Sequence, residues 1–327
     1  MVGRFACLGG LFVLVLAGSA ECAELTADAV NGAELKSRPS ERHKLDPAVV
    51  RLEVLLDRAG FSPGEIDGKL GDNAQKALKA FAQARGLQAS GKINKEAWDA
   101  LVSDDSDRAI IVYKVKEKDV KGPFLKSIPR KLQDMKDIPA LDYTSPREAL
   151  AEKFHMSQDL LSALNPGKSF ERPDQDIFVA NVSTTSDEHR TVAKLDVDKE
   201  KESIEAFDAE GKLVAFFPAT VGSTDKPTPT GTYKVTSSDP NPTYRYNPKY
   251  GFRGVKASKP FTIQPGPNNP VGVYWIGLSG GEGYGIHGTA DPSKVGKTES
   301  HGCIRLTNWD ATWLGHHIKK GARVELH

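Results

Sequence analysis

The chain has 327 residues, more than one hydrophobic core usually serves, so we expect several domains. Charged residues make up 27% of the chain, apolar residues make up 39%, and the formal net charge is +1. This balance is ordinary for globular protein and gives no basis for nucleic-acid binding, which favours a strongly basic surface.

The first 23 residues predict a secretory signal peptide. Arg4 supplies a positive charge, and the apolar run FACLGGLFVLVLAGSA ends in small residues that suit cleavage near Ala20 or Ala23. The run is shorter than the roughly 20 apolar residues that span a bilayer, and an uncleaved N-terminal anchor is the alternative. We therefore expect an exported protein of the periplasm or cell wall, with no integral membrane span in the mature chain.

Residues 24–45 are mixed and polar and predict a disordered leader, whereas residues 46–102 predict a small three-helix bundle. Apolar residues recur at helical spacing in PAVVRLEVLLDRAG, DNAQKALKAFAQARG and NKEAWDALV. A glycine-rich loop, FSPGEIDGKLGDN, separates the first two helices. This pattern resembles the peptidoglycan-binding domain 1 family, a three-helix module of cell-wall enzymes. An unassigned three-helix domain is the alternative.

A polar linker, residues 103–107, leads into a small α+β module over residues 109–182. The strand AIIVYKV comes first, two short helices lie in SPREALAEKFHMSQDLLSALNPG, and the strand DIFVANV closes the module. This order resembles a LysM glycan-binding module. Residues 116–142 depart from that family, because they stand where a LysM module has only a short loop. A supporting α+β domain is the alternative.

After a second polar linker, residues 183–189, the chain alternates apolar and polar residues and predicts a mostly β domain over residues 190–327. Its only clear helix is NWDATWLGHHI, which Thr307 would cap. The aromatic, proline-rich insertion at residues 241–254 predicts a loop over the site. The two polar linkers predict that the domains fold and act independently.

Cysteine usage directs attention to one residue of this β domain. Cys7 and Cys22 lie inside or beside the signal peptide, so Cys303 is the one thiol expected outside the N-terminal tail. A lone thiol in an exported protein is either a buried apolar residue or a reactive group. Cys303 lies in the polar stretch IHGTADPSKVGKTESHGCIRL with His287 and His301. These surroundings favour a reactive thiol.

Three interpretations of this cluster compete. Zinc could bind to His287, His301 and Cys303 with His316 or His317 as a fourth ligand, but the spacing fits no common zinc pattern. The histidines could instead be structural, which suits the two on the predicted helix. The third interpretation is a cysteine nucleophile, because a nearby imidazole raises the thiolate fraction and flanking glycines leave backbone N–H groups free for an oxyanion.

The segments IHGT and SHGCIRL, together with TVGSTDKPTPTGTYKV upstream, resemble the L,D-transpeptidase catalytic domain, also called the YkuD domain. The resemblance covers residues 190–327. It implies a mostly β fold, a β-sandwich with a short helix after the catalytic cysteine. With the two N-terminal modules, the expected fold class is multi-domain.

The resemblance also implies a role for each residue of the motif. Cys303 is the expected nucleophile, His287 the expected proton donor and acceptor, and the carbonyl of Gly288 would orient the His287 ring. The oxyanion would be bordered by His301 and by the backbone N–H groups of Gly302 and Cys303. On the substrate side, Ser300 would hold His301, and Arg305 would bind a carboxylate of the peptide. Neither a metal nor a cofactor is expected.

The implied reaction begins when Cys303 attacks the carbonyl of the third, diamino-acid residue of a tetrapeptide stem. D-alanine leaves, and the thioester passes to an amine of a second stem, which gives a 3→3 cross-link. Transfer to water would make the protein an L,D-carboxypeptidase, and transfer to a lysine would tether an outer-envelope protein. The expected partners are therefore peptidoglycan stem peptides and glycan. A non-catalytic peptidoglycan-binding protein is the alternative of a different class.

Overall fold

The computed structural model of the protein describes residues 25–34, 44–88, 95–104, 107–182, 190–222, 229–250, 257–281, 283–298 and 302–327. The predicted signal peptide and the linker at residues 183–189 lie outside these ranges, as do Ser300 and His301. Among the helices that are described, none combines the length and the apolar content that a membrane crossing needs.

The predicted bundle contains α2 (Pro47–Arg58), α3 (Asp72–Ala84) and α4 (Lys95–Asp104). Asp46 caps α2 by accepting a hydrogen bond from the amide of Ala48. The three helices share a core that includes Phe81 and Trp98. Helix α4 ends two residues inside the predicted linker 103–107, so that boundary is wrong. Its last residue, Asp104, is held by the guanidinium of Arg85 at 2.7 Å.

The predicted disordered leader is wrong for residues 25–34, which contain α1 (Ala27–Asn31). Val30 is fully buried in the core of the following α+β module. The side chain of Asn31 donates to the carbonyl of Ile110 at 2.9 Å and accepts from its amide at 2.8 Å. The buried side chain of Val30 and the two hydrogen bonds of the Asn31 side chain therefore order this segment, although its composition is polar.

The α+β module contains β1 (Ile110–Lys114), α5 (Glu117–Val120), α6 (Pro146–Lys153), α7 (Gln158–Leu164) and β2 (Asp176–Ala180). The two strands pair antiparallel, with Val112 opposite Phe178. The order of strand, helix, helix and strand is the predicted one, with α5 and a 3₁₀ helix at Leu132–Asp137 in the additional segment. The LysM-like assignment stays a prediction.

The C-terminal region is mostly β, as predicted. Its elements are β3 (Val192–Asp198), β4 (Ser203–Phe207), β5 (Leu213–Pro218), β6 (Thr220–Val221), β7 (Gly231–Pro240), β8 (Tyr244–Tyr246), β9 (Phe261–Ile263), β10 (Tyr274–Leu278), β11 (Gly285–His287), β12 (Ile304–Arg305), α8 (Asn308–His317) and β13 (Ile318–Leu326). Thr307 caps α8 as expected, by accepting a hydrogen bond from the amide of Asp310.

Nine of these strands form one hydrogen-bonded series in the order β5-β4-β3-β13-β7-β10-β11-β12-β6. Strand β7 joins two halves, because its first part pairs with β13 and its second part pairs with β10. Buried apolar residues of both halves and of α8 form one core, among them Leu195, Phe217, Ile276, Ile304 and Leu314. The predicted sandwich is therefore a continuous series of strands around a shared core.

The modules pack closely against one another, which contradicts the prediction of independent domains. Phe216 of β5 is 3% exposed and belongs to the core of the helical bundle. Its amide donates to the carbonyl of Gly60, and its carbonyl accepts from the amide of Ser62. A polar linker shows how two domains are joined along the chain, but it does not show whether they pack against each other. The apolar face that β5 turns toward the bundle decides whether they dock.

A polar cluster lies where all three modules meet. The Nδ1 atom of His155, from the α+β module, is 3.0 Å from Oδ2 of Asp57 on α2. The imidazole of His155 stacks on Trp309 of α8, with ring centroids 5.0 Å apart. Beside them, the hydroxyl of Ser62 donates to Asp310 at 2.9 Å. Each module therefore contributes a side chain to one buried junction.

Candidate active site

Two short strands bring the predicted nucleophile and base together. Strand β11 ends at His287, and β12 begins one residue after Cys303. They pair in parallel, with Ile286 opposite Ile304 and His287 opposite Arg305. Side chains two residues apart on a strand point to the same face. The pairing therefore directs the side chains of His287, Cys303 and Arg305 to one side of the sheet.

The imidazole of His287 is held on two sides. Its Nδ1 atom lies 2.6 Å from the carbonyl oxygen of Gly288, which can only accept, so Nδ1 carries the proton. The ring of Trp275 on β10 stacks against it, with centroids 5.5 Å apart and planes 14° apart. The side chain is 3% exposed. In neutral His287, Nε2 is therefore the free proton acceptor.

Cys303 is half-buried, and its Sγ donates to the carbonyl of Gly283 at 3.3 Å. Burial raises the pKa of the thiol, while the charge of Arg305 and a backbone hydrogen bond from Gly285 act in the opposite direction. Burial lowers the pKa of His287 to about 3, and Arg305 adds to this. In the resting site, Cys303 is therefore a neutral thiol and His287 a neutral imidazole.

Arg305 places a positive charge next to both groups. Burial lowers the pKa of its guanidinium, whereas Cys303, Asp291 and Tyr244 would raise it in their ionised forms. An arginine keeps its proton inside proteins. The site therefore contains a permanent cation that can neutralise a thiolate or bind a carboxylate.

The aromatic insertion at residues 241–254 was expected to be a loop over the site. Its described part instead forms a hairpin with β9, in which Tyr246 stacks on Phe261 at 4.6 Å. Burial raises the pKa of Tyr244, and Cys303 in its ionised form would add to this effect. The insertion therefore does reach the site, with Tyr244 near the sulfur.

The chain between the two site strands is fixed by neighbours from two modules. The side-chain amide of Asn73, on α3, donates to the carbonyl of Val295 at 2.9 Å. The hydroxyl of Thr220, on β6, accepts from the amide of Gly296 at 3.0 Å. The helical bundle therefore helps to hold the loop that connects His287 to Cys303.

The other predicted site residues differ in what can be said of them. Gly302 is described and has a φ of 103°, a conformation that side chains rarely adopt. Ser300 and His301 lie outside the described residues, so their expected roles stay predictions. On α8, His317 bonds through Nδ1 to the carbonyl of Trp313 at 2.6 Å, and His316 meets the ring of Tyr274 edge-on. Within the described ranges, no group of three or more potential ligands could hold a metal.

Sequence reasoning missed Trp275 as a neighbour of His287, because the stretch VGVYWIGL indicates only a strand. Two glycines in the sequence, Gly285 and Gly288, could have indicated that side chains crowd against this strand. A Cβ on Gly285 would stand 2.4 Å from the Trp275 ring, and a Cβ on Gly288 would stand 2.2 Å from Oδ1 of Asn308. Gly285 therefore leaves room for the ring of Trp275, and Gly288 leaves room for the side chain of Asn308.

Residues 193–326 match the family model described as the YkuD L,D-transpeptidase catalytic domain, and residues 46–101 match one described as a peptidoglycan-binding domain. A curated relative, YkuD of Bacillus licheniformis, is named as an L,D-transpeptidase. It is 48% identical over 63 residues, which are 19% of this chain and 38% of that protein. YqjB of Bacillus subtilis, named likewise, is 36% identical over 119 residues, 35% of this chain and 60% of that protein.

The chain thus spans 38% to 60% of the length of these two relatives. A solved L,D-transpeptidase from Mycobacterium smegmatis shares 18% sequence identity. The alignment covers 41% of this chain and 58% of that one, with a TM-score of 0.34. At that score, the assignment rests on the two family models and the curated relatives.

Proposed function

Because the chain has an L,D-transpeptidase catalytic domain behind a peptidoglycan-binding domain, we propose that it is a transpeptidase of the cell wall or periplasm. In this proposal Cys303 is the nucleophile and His287 is the proton donor and acceptor. The single observation that supports it best is the 2.6 Å contact between Nδ1 of His287 and the Gly288 carbonyl. That contact leaves Nε2 free to take a proton on the side of the sheet to which Cys303 points.

Acylation starts from the neutral pair. As Cys303 attacks the carbonyl of the diamino-acid residue, its thiol proton moves to Nε2 of His287. In this proposal the backbone N–H groups of Gly302 and Cys303 stabilise the tetrahedral oxyanion. His287 then gives the proton to the amine of the departing D-alanine. The product is a thioester on Cys303.

Transfer reverses these proton movements. An amine of a second stem peptide attacks the thioester, and His287 takes the proton that the amine loses. The C–S bond breaks, an amide forms, and the proton returns to the sulfur of Cys303. Arg305 is proposed to bind a carboxylate of the stem peptide, since a planar guanidinium can form two hydrogen bonds to it. Water or a protein lysine could replace the acceptor amine.

The test is incubation of the full chain with disaccharide-tetrapeptides, followed by mass spectrometry. Cross-linked dimers support the proposal, tripeptides alone would indicate an L,D-carboxypeptidase, and unchanged substrate would indicate a binding protein. The Cys303→Ala variant is the matched control, because it removes one half-buried sulfur. Turnover by a folded Cys303→Ala variant would exclude this cysteine as the nucleophile.

A further inference from the structure

Helix α6 of the α+β module presents two glutamates to the catalytic domain. Glu148 and Glu152 are one helical turn apart and lie on the same face. Glu148 accepts a hydrogen bond from the side-chain amide of Asn268 at 2.8 Å. Glu152 accepts one from the side-chain amide of Asn308 at 2.9 Å. The two contacts look alike, but they lead to different parts of the catalytic domain.

Asn308, the first residue of α8, is 2% exposed. Its Nδ2 donates to Glu152 and also to the carbonyl of Pro267 at 3.1 Å. Its Oδ1 accepts from the amide of Val273 at 3.1 Å. Both ends of the amide therefore have partners of the right kind. Burial raises the pKa of Glu152 to about 7, and the same carboxyl group accepts a hydrogen bond from the hydroxyl of Tyr143 at 3.0 Å.

Asn308 also packs directly against the backbone that holds the catalytic histidine. A Cβ on Gly288 would lie 2.2 Å from Oδ1 of Asn308, and a Cβ on Gly272 would lie 2.0 Å from the same atom. The amide thus fills the space beside two glycines. The carbonyl of Gly288 is the one that accepts from Nδ1 of His287.

We propose that Glu152 is a positioning residue for His287 and acts through Asn308. Together with Val273 and Pro267, Glu152 fixes which end of the Asn308 amide faces Gly288. Asn308 then keeps that backbone in place, and the Gly288 carbonyl selects the tautomer of His287. The α+β module is then part of the catalytic apparatus, whatever it binds. The catalytic consequence rests on the proposed function, whereas the effect on the tautomer does not.

The test compares three variants of the full chain. Glu152→Ala removes the acceptor, Glu152→Gln keeps an acceptor oxygen, and Glu148→Ala is the matched control, because it removes the neighbouring contact to Asn268. Nitrogen-15 NMR of the imidazole reports whether Nδ1 of His287 carries the proton. We expect Glu152→Ala to lose the single tautomer and to lower kcat about 10- to 100-fold with little change in KM. We expect Glu152→Gln and Glu148→Ala to retain the tautomer and most of kcat.

A second variant keeps the proposal testable if Glu152→Ala does not fold. Asn308→Asp opposes two carboxylates and should disturb the tautomer, and adding Glu152→Gln should partly restore it by recreating an amide–carboxylate pair. An unchanged tautomer in both Glu152→Ala and Asn308→Asp would overturn the proposal. Equal losses of kcat in Glu152→Ala and Glu148→Ala would also overturn it. Failure of the proposed function would appear separately, as a wild-type chain that holds the tautomer but makes no cross-link.

Discussion

The charge state of the resting site distinguishes it from cysteine sites that hold a preformed thiolate. Burial keeps Cys303 protonated and His287 neutral, and Arg305 favours the thiolate while it disfavours the imidazolium. In the proposed reaction, the thiol proton must therefore move to His287 during attack on the substrate. A neutral thiol is also less exposed to unwanted alkylation and oxidation.

This charge state predicts how the reactivity of the thiol depends on pH. With the pKa of Cys303 raised and that of His287 near 3, we expect alkylation of Cys303 by iodoacetamide to accelerate steadily from pH 6 to pH 9. Peptide mapping by mass spectrometry measures the rate. The denatured chain is the control and should titrate near the ordinary value of about 8.5. A rate that is already constant above pH 6 would reveal a thiolate–imidazolium pair instead.

Removing the neighbouring cation should affect both binding and reactivity. Arg305→Gln removes the charge that lowers the pKa of Cys303, so we expect slower alkylation at pH 8 and a raised KM for stem peptides. A lost hydrogen bond to a charged group corresponds to about a 10-fold change or more. Arg323→Gln is the control, because Arg323 pairs with Glu325 on β13. Equal KM values for the two variants would rule out the proposed carboxylate contact.

At the scale of elements, the sequence indicated the long strands and helices and missed the two short strands of the site. Strands β3 and β4 follow stretches of alternating residues, because one face of each is buried. Strands β5 and β10 are buried along most of their length and read as apolar runs. Strands β11 and β12 have three and two residues, too few to show a period. These two strands are defined by the strands that pair with them in the sheet, and no local sequence pattern indicates them.

The same distinction applies to the candidate site. His287 and Cys303 are recognisable from the motif, since their residue types carry the chemistry. Trp275 joins the site through strand register, and Asn308 joins it by packing against Gly288. Glu152 lies in another module, so a pattern local to the motif could not reveal it.

Strand β11 should tolerate no side chain at Gly285. A methyl group there would stand 2.4 Å from the ring of Trp275, which stacks on His287. We expect Gly285→Ala to destabilise the fold by about 1–3 kcal/mol and to lower kcat. Thermal unfolding and cross-linking rates measure the two effects. Gly71→Ala is the control, because its nearest neighbour lies 3.8 Å away. Similar behaviour of the two variants would mean that Trp275 moves aside freely.

At the scale of the molecule, the buried junction of His155, Asp57 and Asp310 should make the protein less stable as the pH rises. Burial raises the pKa of Asp310 to about 7, and Asp57 adds to this. Burial opposes protonation of His155, but the Asp57 carboxylate outweighs it and raises that pKa. The folded state therefore binds more protons than the unfolded chain. The contribution of Asp310 to the free energy of unfolding therefore falls as the pH rises from about 4 to about 7. The contribution of His155 is lost as the pH rises above about 6.5.

We accordingly expect the melting temperature to fall when the pH rises from 6 to 8. Asp310→Asn should reduce that dependence, because the amide oxygen can still accept from Ser62 while the titrating group is gone. Scanning calorimetry across this range measures the slope. Asp99→Asn serves as the control, since Asp99 is exposed and pairs with Lys95. An unaltered slope in Asp310→Asn would assign the pH dependence to other groups.

The position of β13 has a consequence for the order of events during synthesis. This strand follows every other strand of the series in the chain, yet it lies between β3 and β7 near the middle. The N-terminal half of the series can make the hairpins β3–β4 and β4–β5 early, but it cannot join β7 until residues 318–326 have left the ribosome. Until then the nascent chain lacks its central strand and remains open. A chain that has not yet produced this strand therefore cannot close the shared core, whatever hairpins it has already formed.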